Sequence, residues 1–103
     1  MNVEKLLAVP WKKGMWVEVL KADKYWVLDS SSIGDIGQIY YINHVQLYSM
    51  RKRLGLGLGL VNPLSADAPI QVLVGQNLVW MSLDAILPIT QIKEAPISLP
   101  DII

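Results

Sequence analysis

The sequence predicts a small all-β barrel of about five strands. Three observations point there. Short runs rich in β-branched and aromatic residues recur along the chain, polar or Gly-containing turns separate them, and almost no stretch holds a helical period. The 103 residues suffice for one domain and one core. Hydrophobic residues make up 52% and charged residues 17%, against a usual charged share of about 25%. That composition excludes intrinsic disorder and leaves a surface poor in charge.

Residues 1–13 read as a leader, in which VEKLLAV makes a turn or two of helix until Pro10 stops it. From Gly14 the pattern changes. In MWVEVL, Met15, Val17 and Val19 alternate with Trp16, Glu18 and Leu20, the period of a strand. Residues 21–24 are polar and turn-like, residues 25–28 (YWVL) form a short apolar run, and residues 29–37 (DSSSIGDIG) form a loop. GQIYYI is a strand. Asn43 and His44 break it, and VQLYSM is expected to pair back on it as a hairpin. Residues 51–69 read as a Gly/Pro-rich excursion, holding a basic triplet and a Leu-Gly alternation. IQVLV, a turn at Gly75 and LVWMSL make a second hairpin. A 3₁₀ or helical turn at 82–86 leads to Leu87, Pro88 and Ile89. Residues 91–103 read as an extended apolar tail, whose two prolines exclude a central strand.

LVWMSLDAILPI resembles the closing segment of SH3-like barrels, where a strand enters a 3₁₀ turn and a short final strand. GMWVEVL, a Gly-containing loop and GQIYYINHVQLYS resemble the opening of KOW and Tudor-type members of that fold. The resemblance covers residues 14–50 and 70–90 and is one of fold: no family-specific functional motif accompanies it, and such a fold hosts many functions. An OB-like barrel shares the strand count but needs a helix between its third and fourth strands, where residues 51–68 are too rich in Gly and Pro.

Chemistry-bearing residues are sparse, and no catalytic, cofactor-binding or metal-ligating set is expected. The chain has no Cys and one His, His44, set in an expected turn without a second catalytic group beside it. Ser30, Ser31 and Ser32 read as turn formers. Asp29 and Asp35 flank a loop, but an oxygen-only cation site takes more ligands than two carboxylates supply. Gly55, Gly57 and Gly59 fit neither phosphate-binding pattern: Leu60 stands where a dinucleotide loop needs its third Gly, and no Lys followed by Ser or Thr comes after them. The protein is therefore expected not to be an enzyme.

Strand parity is more informative. With Val17, Val19, Val45, Leu47, Val72, Val74, Val79 and Met81 inward, the outward set becomes unusually apolar; the parity of GQIYYI is open in either sense, and placing Ile39 and Tyr41 inward puts Tyr40 outward. Trp16, Tyr40, Tyr48, Leu73 and Trp80 are the candidate partner-binding residues, because aromatics anchor interfaces. The expected function is a non-catalytic interaction or assembly module that binds itself or a protein partner, with the apolar tail favoured to pack on a second copy. The alternative is single-stranded nucleic-acid binding through Arg51, Lys52, Arg53 and exposed aromatics. Nine basic against nine acidic residues weigh against it, although residues 1–53 hold eight of the basic and five of the acidic side chains. Leu6 to Val9 is too short for a signal-peptide core and no apolar run reaches the roughly 20 residues of a membrane span, so a cytoplasmic location is expected.

Overall fold

The computed structural model describes residues 3–57 and 64–89. Its elements are helix α1 (Val3–Ala8), strand β1 (Trp16–Val19), strand β2 (Ile36–Ile42), helix α2 (His44–Gly55), strands β3 (Ile70–Val74), β4 (Asn77–Met81) and β5 (Ile86–Pro88), with 3₁₀ turns at Ser30–Ser32, Leu64–Ala66 and Leu83–Ala85. The five strands form one antiparallel sheet in the order β4-β3-β2-β1-β5. The expectations for the tail at 91–103 and for residues 58–63 of the excursion lie outside the described residues.

The β3–β4 hairpin follows its sequence signals. Val74 pairs with Asn77, leaving Gly75 and Gln76 as a two-residue loop. Gly75 has φ +62°, and Gly takes a positive φ at the first central position of a hairpin turn without a Cβ clash. β5 is reached through the 3₁₀ turn Leu83–Ala85 and pairs with β1 at the sheet edge, where Pro88 is tolerated because no ladder donor is needed on the open side. At the other edge, β4 receives one backbone hydrogen bond from the β1–β2 loop, Lys24 N–H to the Trp80 carbonyl at 2.8 Å.

VQLYSM is not a strand; it is the body of α2. The expected hairpin at Asn43 and His44 is a helix start instead. Asn43 is the N-cap, its side-chain oxygen accepting from the Gln46 N–H at 3.1 Å. Its backbone N–H donates to the Pro69 carbonyl at 2.7 Å, which fixes the cap beside the start of β3. Leu47 and Met50 are buried and Leu54 packs against the core, the three- and four-residue spacing of a helical face. Val45, expected inward, is 80% exposed. The helix runs on through Arg51 to Gly55, so the expected excursion begins after it. Gly57, at φ +73°, follows the C-cap in the left-handed conformation that commonly ends a helix.

Residues 3–11, within the segment read as a leader, pack on the core. Leu6, Leu7 and Trp11 belong to the same buried cluster as Val17, Val19, Ile39, Val72 and Met81. Trp11 closes the segment with its indole N–H on the Leu6 carbonyl at 2.8 Å. Arg51 of α2 holds the end of α1, with Nε donating to the Leu7 carbonyl at 2.7 Å and Nη2 to the Val9 carbonyl at 2.9 Å. A cation thereby satisfies a carbonyl in the last turn of the helix and shares the Val9 carbonyl with the Trp11 N–H.

Gly37 sets the spacing of β2 and β3. A Cβ there would lie 2.7 Å from Val72 Cγ1 and 2.9 Å from the Leu73 carbonyl oxygen. Because the obstruction includes backbone, Gly37→Ala is expected to lower unfolding free energy by about 1–3 kcal/mol, the usual range for overpacking. Denaturant unfolding checks this, and an unchanged midpoint would show that the sheet relaxes freely around the methyl group.

Candidate interaction face

The register divides the sheet into a buried face and an outward one. Trp16, Gln38, Leu73 and Leu78 lie directly opposite one another across β1, β2, β3 and β4, in one row. Leu87, Glu18 and Ile36 form a second row on the same face, two residues toward one end of the strands. A third row, toward the other end, contains Tyr41, Gln71 and Trp80. Trp16, Leu73, Leu78, Ile36 and Leu87 are exposed, so the central rows present apolar side chains where a monomer usually places polar ones.

The third row depends on an irregularity. The β2–β3 register shifts between Ile39 and Tyr41. Ile39 and Ile42 are buried, while Tyr40 and Tyr41 are both exposed. Strict alternation places Tyr41 inward with Ile39; the extra residue of the bulge turns it outward instead. Its ring meets Trp80 edge-on, with centroids 6.0 Å apart and an interplanar angle of 89°, a favourable arrangement for aromatic quadrupoles. Lys13 lies over the Tyr40 ring, with Nζ 5.4 Å from the centroid.

Four of the five candidate partner-binding residues, Trp16, Tyr40, Leu73 and Trp80, therefore share one face of the sheet. Tyr48 does not. It lies on α2 and is 65% exposed, because a helix rather than a strand carries it. The basic triplet is dispersed. Arg51 is bound to two carbonyls of the α1 segment, Lys52 is exposed, and Arg53 is half-buried, its Nε buried without a hydrogen-bond partner among the described residues. His44 is the exposed first residue of α2. Among the described residues, no group of three or more His, Asp or Glu side chains is placed to hold a metal ion, and no helix is long and apolar enough to cross a membrane.

The β1–β2 loop adds a feature that parity does not reveal. Residues 25–28 (YWVL) are not a strand. Asp23, 3% exposed, accepts three backbone N–H groups: Tyr25 and Val27 on Oδ2, each at 3.1 Å, and Leu28 on Oδ1 at 2.8 Å. This holds Trp26 at φ +57° with 79% of its surface exposed. A cleft of about 350 Å³ lies between the indole and Leu20, Leu28 and Ile33. The available sequence signal is the Asp itself, since an Asp before an apolar run forms Asx-type turns.

Two further carboxyls stabilise the turns that frame this loop. The Asp29 carboxyl is held below its usual value, first by the Ser31 hydroxyl and then by the Ser31 N–H, as it caps Ser30–Ser32. For Asp84, burial pushes upward, but the Lys21 ammonium at 2.8 Å and the Ser82 hydroxyl outweigh it and hold the carboxyl low. A carboxyl lowered in the folded state stabilises the fold fully above its unfolded pKa. That stabilisation is lost as pH falls through the folded value. Unfolding free energy is therefore expected to decline below about pH 4, and Asp84→Asn to flatten part of the decline in pH-resolved denaturation. An identical slope in the variant would contradict the assignment.

No protein-family model, curated protein or solved structure matches the chain.

Proposed function

We propose that this protein is a non-catalytic interaction module, an SH3-like small barrel that binds a protein through the outward face of its sheet. The observation that carries the reading is the three-row apolar face, with Trp16, Leu73 and Tyr41 exposed on ordered strands. Rigid strands present these side chains at little ordering cost on binding, which favours tight association per unit area. The strand order, with a 3₁₀ turn feeding a short last strand back beside the first, supports the barrel. The alternative, nucleic-acid binding through Arg51, Lys52 and Arg53, is weakened by the commitment of Arg51 to the α1 carbonyls.

An acidic substitution on the face tests the reading. Leu73→Glu is expected to abolish association measured by light scattering, and to cost about 1 kcal/mol of unfolding free energy while the chain stays folded, since the side chain is 38% exposed on an interior strand. Tyr48→Glu is expected to leave association intact. Labelled single-stranded DNA and RNA are expected not to bind; binding with a steep salt dependence would overturn the reading in favour of nucleic acid.

A further inference from the structure

The face has a charge pattern that selects its occupant. Glu18 lies in the row with Ile36 and Leu87, at one end of the face. Lys13 lies over Tyr40, at the other end. At about 3.4 Å per residue, the four steps from Ile36 to Tyr40 separate the two ends by roughly 14 Å. Neither Lys13 nor Glu18 joins an ion pair among the described residues. The central row between them, from Trp16 to Leu78, has no charged side chain. Lys13 precedes β1, in the turn at Gly14, and Glu18 is within the strand, so the two charges lie on either side of Trp16 in the chain.

We infer that the occupant of this face is a second copy of the chain, related by a two-fold axis that runs along the row from Trp16 to Leu78. This rests on the interaction-face reading and assigns its partner. The axis places β1 over β1, Trp16 against Trp16 and Leu73 against Leu73. It exchanges the ends, so Glu18 of each copy faces Lys13 of the other, giving two symmetric ion pairs that flank an uncharged centre. A two-fold interface must be self-complementary in this way. A face carrying one sign of charge would repel its own copy; this one has opposite signs placed symmetrically about its middle. The area fits as well. With aromatic side chains of roughly 150–250 Å² each, the exposed apolar groups present on the order of 600 Å². Gln38, Gln71, Glu18 and Lys13 bring the face near the ~800 Å² per partner of a standard interface.

Sedimentation of the full chain tests the pairing by charge reversal. At about 100 μM, a concentration that saturates a micromolar Kd, the protein is expected to sediment as a dimer. Lys13→Glu and Glu18→Lys each replace two attractions with two repulsions, and each is expected to raise the dimer Kd about tenfold. Mixing the two single variants restores both pairs across a heterodimer, and association is expected to return to within about threefold of the original. Lys13 is exposed and Glu18 half-buried, and circular dichroism confirms that each variant is folded. A monomer at that concentration would overturn the dimer, as would single reversals without effect or a mixture without recovery. The interaction-face reading fails separately, through Leu73→Glu leaving association intact or through salt-sensitive nucleic-acid binding.

Discussion

Trp11→Ala is expected to lower unfolding free energy by about 3–5 kcal/mol, the range for removing a large aromatic from a core. Trp11 is 4% exposed and belongs to the cluster that joins α1 to the sheet. Truncation opens a cavity and also leaves the Leu6 carbonyl without its indole donor. Small domains have only about 5–15 kcal/mol in all, so the variant is expected to be marginal at 37 °C. The same substitution at Trp26, whose indole is exposed, is expected to change stability by no more than about 0.5 kcal/mol. Denaturant unfolding of the pair provides the comparison. Equal losses would mean that α1 and Trp11 are not part of the cooperative core.

Asp23→Ala is expected to cost about 3 kcal/mol and to release the β1–β2 loop. One carboxylate accepts three backbone N–H groups in that loop, and an orphaned buried donor costs about 1–3 kcal/mol. The Leu28 N–H is buried and cannot turn to water, whereas the Tyr25 and Val27 donors are partly exposed and recover some hydration. Without the carboxylate only the Trp26 N–H bond to the residue 23 carbonyl, at 3.2 Å, still holds the left-handed backbone of Trp26, a conformation unfavourable for a bulky residue. Hydrogen exchange at Tyr25, Val27 and Leu28 is expected to accelerate before the strands unfold. Exchange that stays slow in the variant would show that the loop is held by packing alone.

The sequence makes some of these elements readable and conceals others for identifiable reasons. The β3–β4 hairpin was legible because Gly75 falls between two alternating apolar runs. The 3₁₀ turn and short β5 were legible from the order of LVWMSLDAILP. Helix α2 was not, because its first six residues satisfy both periods. Val45 and Leu47 alternate as a strand would, and the helical spacing of Leu47, Met50 and Leu54 is complete only when the basic triplet is included rather than assigned to a loop. Asn43 followed by Gln46 three positions later is a capping pattern that argues for the helix. For the face, alternation alone placed Trp16, Leu73 and Trp80 outward. Tyr41 depends on a bulge, set by pairing with β3, that no local pattern in GQIYYI encodes.

Oxidative footprinting of the full chain, read residue by residue by mass spectrometry, tests the central claim most directly. Trp16 and Tyr41 report on the face, and Trp26 and Tyr48 serve as exposed controls in the same molecule. The expected result is protection of Trp16 and Tyr41 that grows with protein concentration across the micromolar range and disappears on dilution, while Trp26 and Tyr48 stay reactive throughout. Trp16 and Tyr41 that react as fast as the controls at every concentration would contradict the account, as would protection that persists unchanged at high dilution.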